Sequence, residues 1–415
     1  MKIVHALVVK LVDTTDLKSV PFWSASSSLA EGTIFVIMIK NKFFLTLMIF
    51  LASLSALYAL YIANTYGSMD FQYSPTKLFK DRINPYEYFL HGDHSKIIGA
   101  QYPVYSHATY IFFYIFSLLD WESSRFVWSI TNIILAIIAL LIISKKAKLK
   151  NYEIIIIGSI FFMSTPFRNC IGNGQLSLLI LICYCSIFLN NSFKRNFLSG
   201  FTYMKYSFMP VLAFFIFFKD GFVGLLISGL FCLIGWCIFS LYLDQSLFST
   251  IFQPLVVGLK GFDSGLARGD LFSLLNKNNF YLFDIESKYL FIFLVLLITF
   301  FLAKQVSIKQ DPLLIINLLL IINLFTFGHL IYDYLVLLPT FIYSFKNYNF
   351  KKAKISIAIV LYFWFGIRIY ERIKMYILDV DIMIPTNYDI FINFGLLLIL
   401  YLSNLNIKSN SFLKN

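Results

Sequence analysis

Lys205 lies inside residues 197–218, a run that is otherwise almost wholly apolar. An ammonium at that depth costs about 2.5–3.5 kcal/mol on membrane-insertion scales unless an anion or water meets it. The phosphate of a lipid carrier at the membrane edge is the natural partner for such a lysine. Further polar side chains stand where apolar runs end: Asp70, Arg168, Gln175, His329 and Asp333. By residue type, a carboxylate there can take a proton, and the cationic groups can hold an anion where little water screens them. Each also has a plainer use. Asp70 can be a solvated acid beyond a span, Lys205 can snorkel or neutralise a buried acid, and Arg168 can anchor to headgroups. His329 can be a hydrogen-bonded structural histidine, and Gln175 can cap a helix.

The elements that must carry these residues are membrane helices. Hydrophobic residues make up 59% of the 415 and charged residues only 13%, a balance that no water-soluble core absorbs. The formal charge of +12 sits in short lysine clusters between apolar runs, where it sets membrane orientation, so nucleic-acid binding is excluded. Cys170, Cys183, Cys185, Cys232 and Cys237 have neither metal-ligand nor disulfide-framework spacing and read as small buried hydrophobes. His91, His94 and His107 resemble zinc spacing only superficially, so no metal is expected.

Residues 1–37 differ in character from the rest of the chain. The stretch Leu11-Val12-Asp13-Thr14-Thr15-Asp16-Leu17-Lys18-Ser19 resembles the spurious peptide made when a reading frame runs backwards across a bacterial transfer-RNA gene, and Met38 is the expected start. From there on, residues 38–415 read as one all-α, polytopic membrane domain. Apolar runs of spanning or near-spanning length fall at about 43–63, 124–144, 152–166, 174–190, 221–242, 288–303, 312–327, 330–345, 353–370 and 387–403, giving about ten transmembrane helices.

Two more apolar stretches are decided by charge. The basic clusters at 40–42, 145–150, 194–195, 219, 304–309, 346–354 and 408–414 all fall inside only if 197–218 enters the membrane and returns. That segment therefore reads as a re-entrant hairpin, with Gly200 and Pro210 as breakers and Lys205 near its tip. Residues 101–119, interrupted by Pro103, Ser106 and His107, read as an interfacial helix within a first external loop at 64–123. A second external loop spans 243–287 and carries Lys260, Asp263, Arg268 and Asp270 among glycines, a mixture suited to a lid or an acceptor-binding loop. In this arrangement the unusual polar residues collect on one, extracytoplasmic side of a cell inner (plasma) membrane.

Several short motifs occur in a telling order: Met69-Asp70-Phe71 with Tyr73, Asn84-Pro85-Tyr86, Tyr102-Pro103, Trp128 with Asn132, and Gly174-Gln175 ahead of an apolar helix. Lys205 with Pro210 follows, then Gly328-His329 with Tyr332, Tyr334, Leu335, Leu338 and Pro339. From about 43 to 345 this order resembles glycosyltransferase family 87 of the GT-C superfamily.

That resemblance implies a hexosyltransferase that uses a polyprenyl-phosphate-linked sugar such as mannose, acting on a glycan or glycolipid acceptor outside the cytoplasm, with inversion and without a cofactor. Set against that chemistry, Asp70 is the candidate general base. Lys205, His329 and Arg168 are candidates for the donor phosphate, and Gln175, Tyr102 and Tyr332 for substrate. Tyr73, Tyr86, Tyr88, Tyr102 and Tyr105 are candidates to stack on sugars, although an interfacial aromatic belt accounts for them as well. Two other functions share this architecture: an envelope polysaccharide polymerase or ligase, and a lipid-linked glycan transporter.

Overall fold

A computed structural model of the chain describes residues 42–262, Leu271, 287–377 and 387–403. The N-terminal extension, Asp263, Arg268, Asp270 and the lysines at 408–414 lie outside the described residues. Within them every regular element is a helix. In chain order these are α1 Lys42–Thr65, α2 Tyr73–Lys80, α3 Pro85–Leu90, α4 His107–Phe112, α5 Trp121–Ala147 and α6 Asn151–Met163. Next come α7 Thr165–Asn173, α8 Ser177–Tyr184, α9 Ser192–Ser199, α10 Met209–Tyr242, α11 Leu247–Thr250 and α12 Gln253–Phe262. The chain ends with α13 Ser287–Ser307, α14 Pro312–Thr326, α15 Leu338–Lys346, α16 Lys351–Leu361, α17 Ile367–Ile377 and α18 Asn387–Ser403.

Each of the ten expected apolar runs carries helix, but four units have the length and composition to cross a membrane unaided: 42–65, 121–147, 206–242, which is broken at Gly221, and 351–370. A fifth is the pair α6 and α7, bent by 59° at Ser164. Ser164 stops one helix in an extended conformation and caps the next, its hydroxyl accepting from Phe167 N, with Pro166 in the first turn of α7. Other apolar runs are shorter helices, and one of them, α14, is the hub of the fold, with nearly all of its side chains buried. Asp311 fixes its start by accepting from Leu313 N.

The segment that carries Lys205 does turn back on itself. α9 continues as a 3₁₀ turn over Gly200–Met204, the chain is extended at Lys205 (φ −108°, ψ 103°), and a second 3₁₀ turn over Tyr206–Phe208 leads into α10. α10 is itself broken at Gly221, whose φ of 73° and ψ of −167° no helix contains. A Cβ on Gly224 would lie 3.2 Å from Ile216 Cγ2, although residues eight apart in a continuous helix stand about 12 Å apart. The ends of the ingoing and returning arms meet: Arg195 Nη2 is 2.6 Å from Asp220 Oδ1. Residues 209–220 therefore run back beside α9, and 222–242, about 31 Å of helix, runs out again.

A break at this depth frees backbone carbonyls that must find donors. Met204 O accepts from Ser106 N and Thr109 Oγ1, Ser207 O from Asn323 Nδ2, and Phe208 O from Tyr184 Oη. The 101–119 stretch is thus part of the support for the break. Its helix α4 packs on α10, with Ala108 against Gly235, while Ile115 and Leu118, beyond the end of α4, remain exposed. The front of the 243–287 segment is helical as α11 and α12, and a polar clasp ties it to α3: Asn84 Nδ2 donates to Gln245 and Gln253, and both amides donate to Glu87.

Candidate active site

The centre of the site is a charge cluster between the Lys205 break and a 3₁₀ segment, Ile331–Leu337, which joins α14 to α15. Lys205 Nζ lies 2.5 Å from Asp333 Oδ1. His329 Nδ1 is 3.0 Å from Asp333 Oδ2, and Ser177 Oγ, at the start of α8, donates to Asp333 Oδ1. Asp333 and His329 are buried, and Lys205 is 13% exposed. Aromatic faces line the ammonium, with the Tyr332 ring 5.2 Å and the Phe208 ring 5.4 Å from Nζ. His329 packs on Phe208 as well, with ring centroids 4.5 Å apart, and its Nε2 is buried without a hydrogen-bond partner.

Asp70 reaches this cluster from the loop after α1. The loop is pinned to the end of α7: Ser68 N donates to Gly172 O, and Asp70 N donates to Asn173 O at 3.0 Å. α7 ends at Gly174 in the left-handed conformation (φ 69°), and Phe71 packs so closely that a Cβ on Gly174 would lie 2.7 Å from the Phe71 Cβ. Trp128 Nε1 donates to Gly174 O at 2.8 Å, and the Trp128 ring stacks on Phe71 at 5.8 Å. Asp70 is thereby fixed over the α7–α8 junction.

Burial among these groups pushes the Asp70 carboxyl up to about 6. Contact with the Gln175 side chain and the charge of Lys205 oppose that rise, and the charge of Asp333 adds to it. Gln175 is fully buried and accepts from Tyr105 Oη at 3.1 Å. A carboxyl titrating near 6 is mostly ionised at neutral pH yet is a far better base than an ordinary one, as general base catalysis requires.

The structure thus joins Asp70, Gln175, Lys205, His329 and Tyr332 around one centre, but it does not join Arg168 or Tyr102 to them. Among the described residues, the Arg168 side chain has one hydrogen bond, to Thr165 Oγ1 in its own helix at 3.4 Å. Tyr102 is 40% exposed and packs on Phe89 and His94. Sequence reasoning placed Asp333 beside His329 without giving it a role, and it passed over Ser177. The four-residue spacing of His329 and Asp333 is the signal that would have flagged the acid. Tyr105, weighed only as a stacking or belt residue, turns out to be the hydrogen-bond partner of Gln175.

The geometry is an all-helical apolar chain with a raised-pKa carboxyl and a buried cation gathered at a helix break. Residues 104–327, more than half of the chain, match the sequence signature of glycosyltransferase family 87. The chain belongs to that family and is a glycosyltransferase. Gln175, Ser177 and Lys205 fall within the matched stretch, whereas Asp70 precedes it and His329 and Asp333 follow it. No curated protein and no solved structure matches the chain.

Proposed function

We propose that the protein transfers a hexose from a polyprenyl-phosphate donor to an acceptor hydroxyl at the extracytoplasmic face of the membrane, with inversion at the anomeric carbon. The observation that carries the reading is Asp70, a carboxyl held near 6 beside the Lys205–Asp333–His329 cluster. In the step proposed, the acceptor O–H gives its proton to the Asp70 carboxylate as its oxygen attacks the anomeric carbon. The bond from that carbon to the phosphate oxygen breaks, and its electron pair leaves with the polyprenyl phosphate. Lys205 faces the departing anion, and His329, with Nδ1–H donated to Asp333, offers it an Nε2–H when the ring carries both protons. His329 is suited to this because its Nδ1 is engaged with Asp333 and its Nε2 is not. Gln175 holds Asp70 and orients the acceptor, and Tyr332 lies beside the ammonium where the sugar phosphate docks. Arg168 and Tyr102 have no part in this scheme.

About ten crossings, with the lysine clusters inside, remain the topology that puts this site outside the cytoplasm. Mannose is the sugar we favour, on family resemblance alone. The test is transfer of radiolabel from a synthetic polyprenyl-phosphate hexose in membranes that contain wild-type protein or Asp70→Asn. The variant is expected to lose about 10²–10⁴-fold in rate while keeping donor affinity. Equal transfer by both proteins would remove Asp70 as the base, and transfer only from a nucleotide sugar would remove the lipid donor.

A further inference from the structure

Beyond the feet of the re-entrant hairpin, at the end away from Lys205, lies a half-open cavity of about 220 Å³ that the transfer chemistry does not use. Arg195, Lys219 and Lys309 reach it from separate places: the start of α9, the turn before Gly221, and the link between α13 and α14. Among the described residues one acid pairs with them, Asp220, which meets Arg195 at 2.6 Å. The neighbouring Asp311 is engaged with Leu313 N as the cap of α14. Arg195 is 14% exposed, and its Nε is buried without a hydrogen-bond partner. A fourth cation stands at the rim, where Lys146 Nζ lies 5.5 Å from the centre of the Phe188 ring. The remaining wall is largely apolar and includes Phe188, Phe215 and Ile315.

Cations drawn together without matching acids repel one another unless an anion joins them, and an apolar wall beside them suits a molecule with a charged head and a greasy tail. We propose that this cavity binds the phosphate of an anionic membrane lipid, held by Arg195, Lys219 and Lys309, with its acyl chains against Phe188, Phe215 and Ile315. Arg195 and Lys219 stand on the ingoing and returning arms of the hairpin, so the bound phosphate clamps the feet of the segment whose tip is Lys205. The proposal does not depend on the transferase scheme, because none of these side chains takes part in it.

The experiment uses the full chain in nanodiscs of phosphatidylcholine doped with phosphatidylglycerol, with retained lipid counted by native mass spectrometry and unfolding followed thermally. Three proteins are compared: wild type, Lys219→Gln/Lys309→Gln, and Lys351→Gln/Lys354→Gln, which removes the same charge from another basic cluster. Retained phosphatidylglycerol is expected to fall about tenfold in the first double variant and to stay unchanged in the second. Thermal stabilisation by added phosphatidylglycerol is expected to vanish only in the first. Equal losses in both doubles, or loss in neither, would overturn the site. Inorganic phosphate is the second arm: stabilisation by it as large as that by the lipid would overturn a lipid ligand in favour of a soluble anion.

Discussion

Replacing Asp70 by asparagine should make the protein more stable as it destroys the activity, and only above a certain pH. A carboxyl that titrates near 6 in the folded protein, against an ordinary 3.8, has its ionised form disfavoured by at most about 3 kcal/mol. The side chain keeps some contact with solvent, which brings the usable figure down to about 1–2 kcal/mol. Because folding raises this pKa, the folded state is favoured by a bound proton at low pH and loses that advantage as pH climbs through about 6. Asparagine carries no charge and escapes the penalty. At about pH 8 the variant should therefore unfold a few degrees higher than wild type, and at about pH 4 the two should coincide. Tryptophan fluorescence of nanodisc-embedded protein, heated at both pH values, reads the difference directly. An asparagine variant that is less stable than wild type at pH 8, or equally displaced at both pH values, would refute the burial argument and with it the reason for calling Asp70 a tuned base.

Transfer by the wild-type enzyme should fall about tenfold per pH unit below about 6, since the base must be ionised, and a flat profile down to about pH 4.5 would exclude Asp70. Lys205→Met alone strands a buried Asp333 carboxylate and should cost about 3–5 kcal/mol, whereas Lys205→Met/Asp333→Asn should recover most of that stability without recovering donor binding. Equal stability of the single and double variants, read by thermal unfolding, would show that the pair is not the structural unit described. Gly174→Ala forces a positive φ on alanine and drives its Cβ into Phe71, so a loss of about 1–3 kcal/mol is expected together with slower transfer as the Asp70 loop shifts. Arg168→Gln should leave donor KM nearly unchanged, and a large rise in KM would return Arg168 to the phosphate site.

Lys205 shows how far a single chain can be read. Its depth in an apolar run marked it as paired with an anion, and the charge rule led to the expectation that the chain around it enters the membrane and returns; in the structure Arg195 on one arm meets Asp220 on the other. What the run did not disclose was the anion within the protein. Asp333 lies 128 positions away, so the pairing is a property of how α9, α10 and the 331–337 turn pack. Arg168 is the opposite case: expected at the donor phosphate, its side chain has, among the described residues, one hydrogen bond, to Thr165 Oγ1 in its own helix.

By itself the sequence determined the all-helical, apolar character of this protein and the family to which it belongs, because composition, periodicity and short motifs are local quantities summed along the chain. Only the tertiary structure decided which polar groups share a site. Asp70, Gln175, Lys205, His329 and Asp333 are scattered along the chain, and nothing local tells a buried carboxylate which of several distant cations will meet it. Close packing around the Lys205 break settles that choice: the freed carbonyls there require Ser106, Tyr184 and Asn323 as donors, and their helices bring the rest of the site into place.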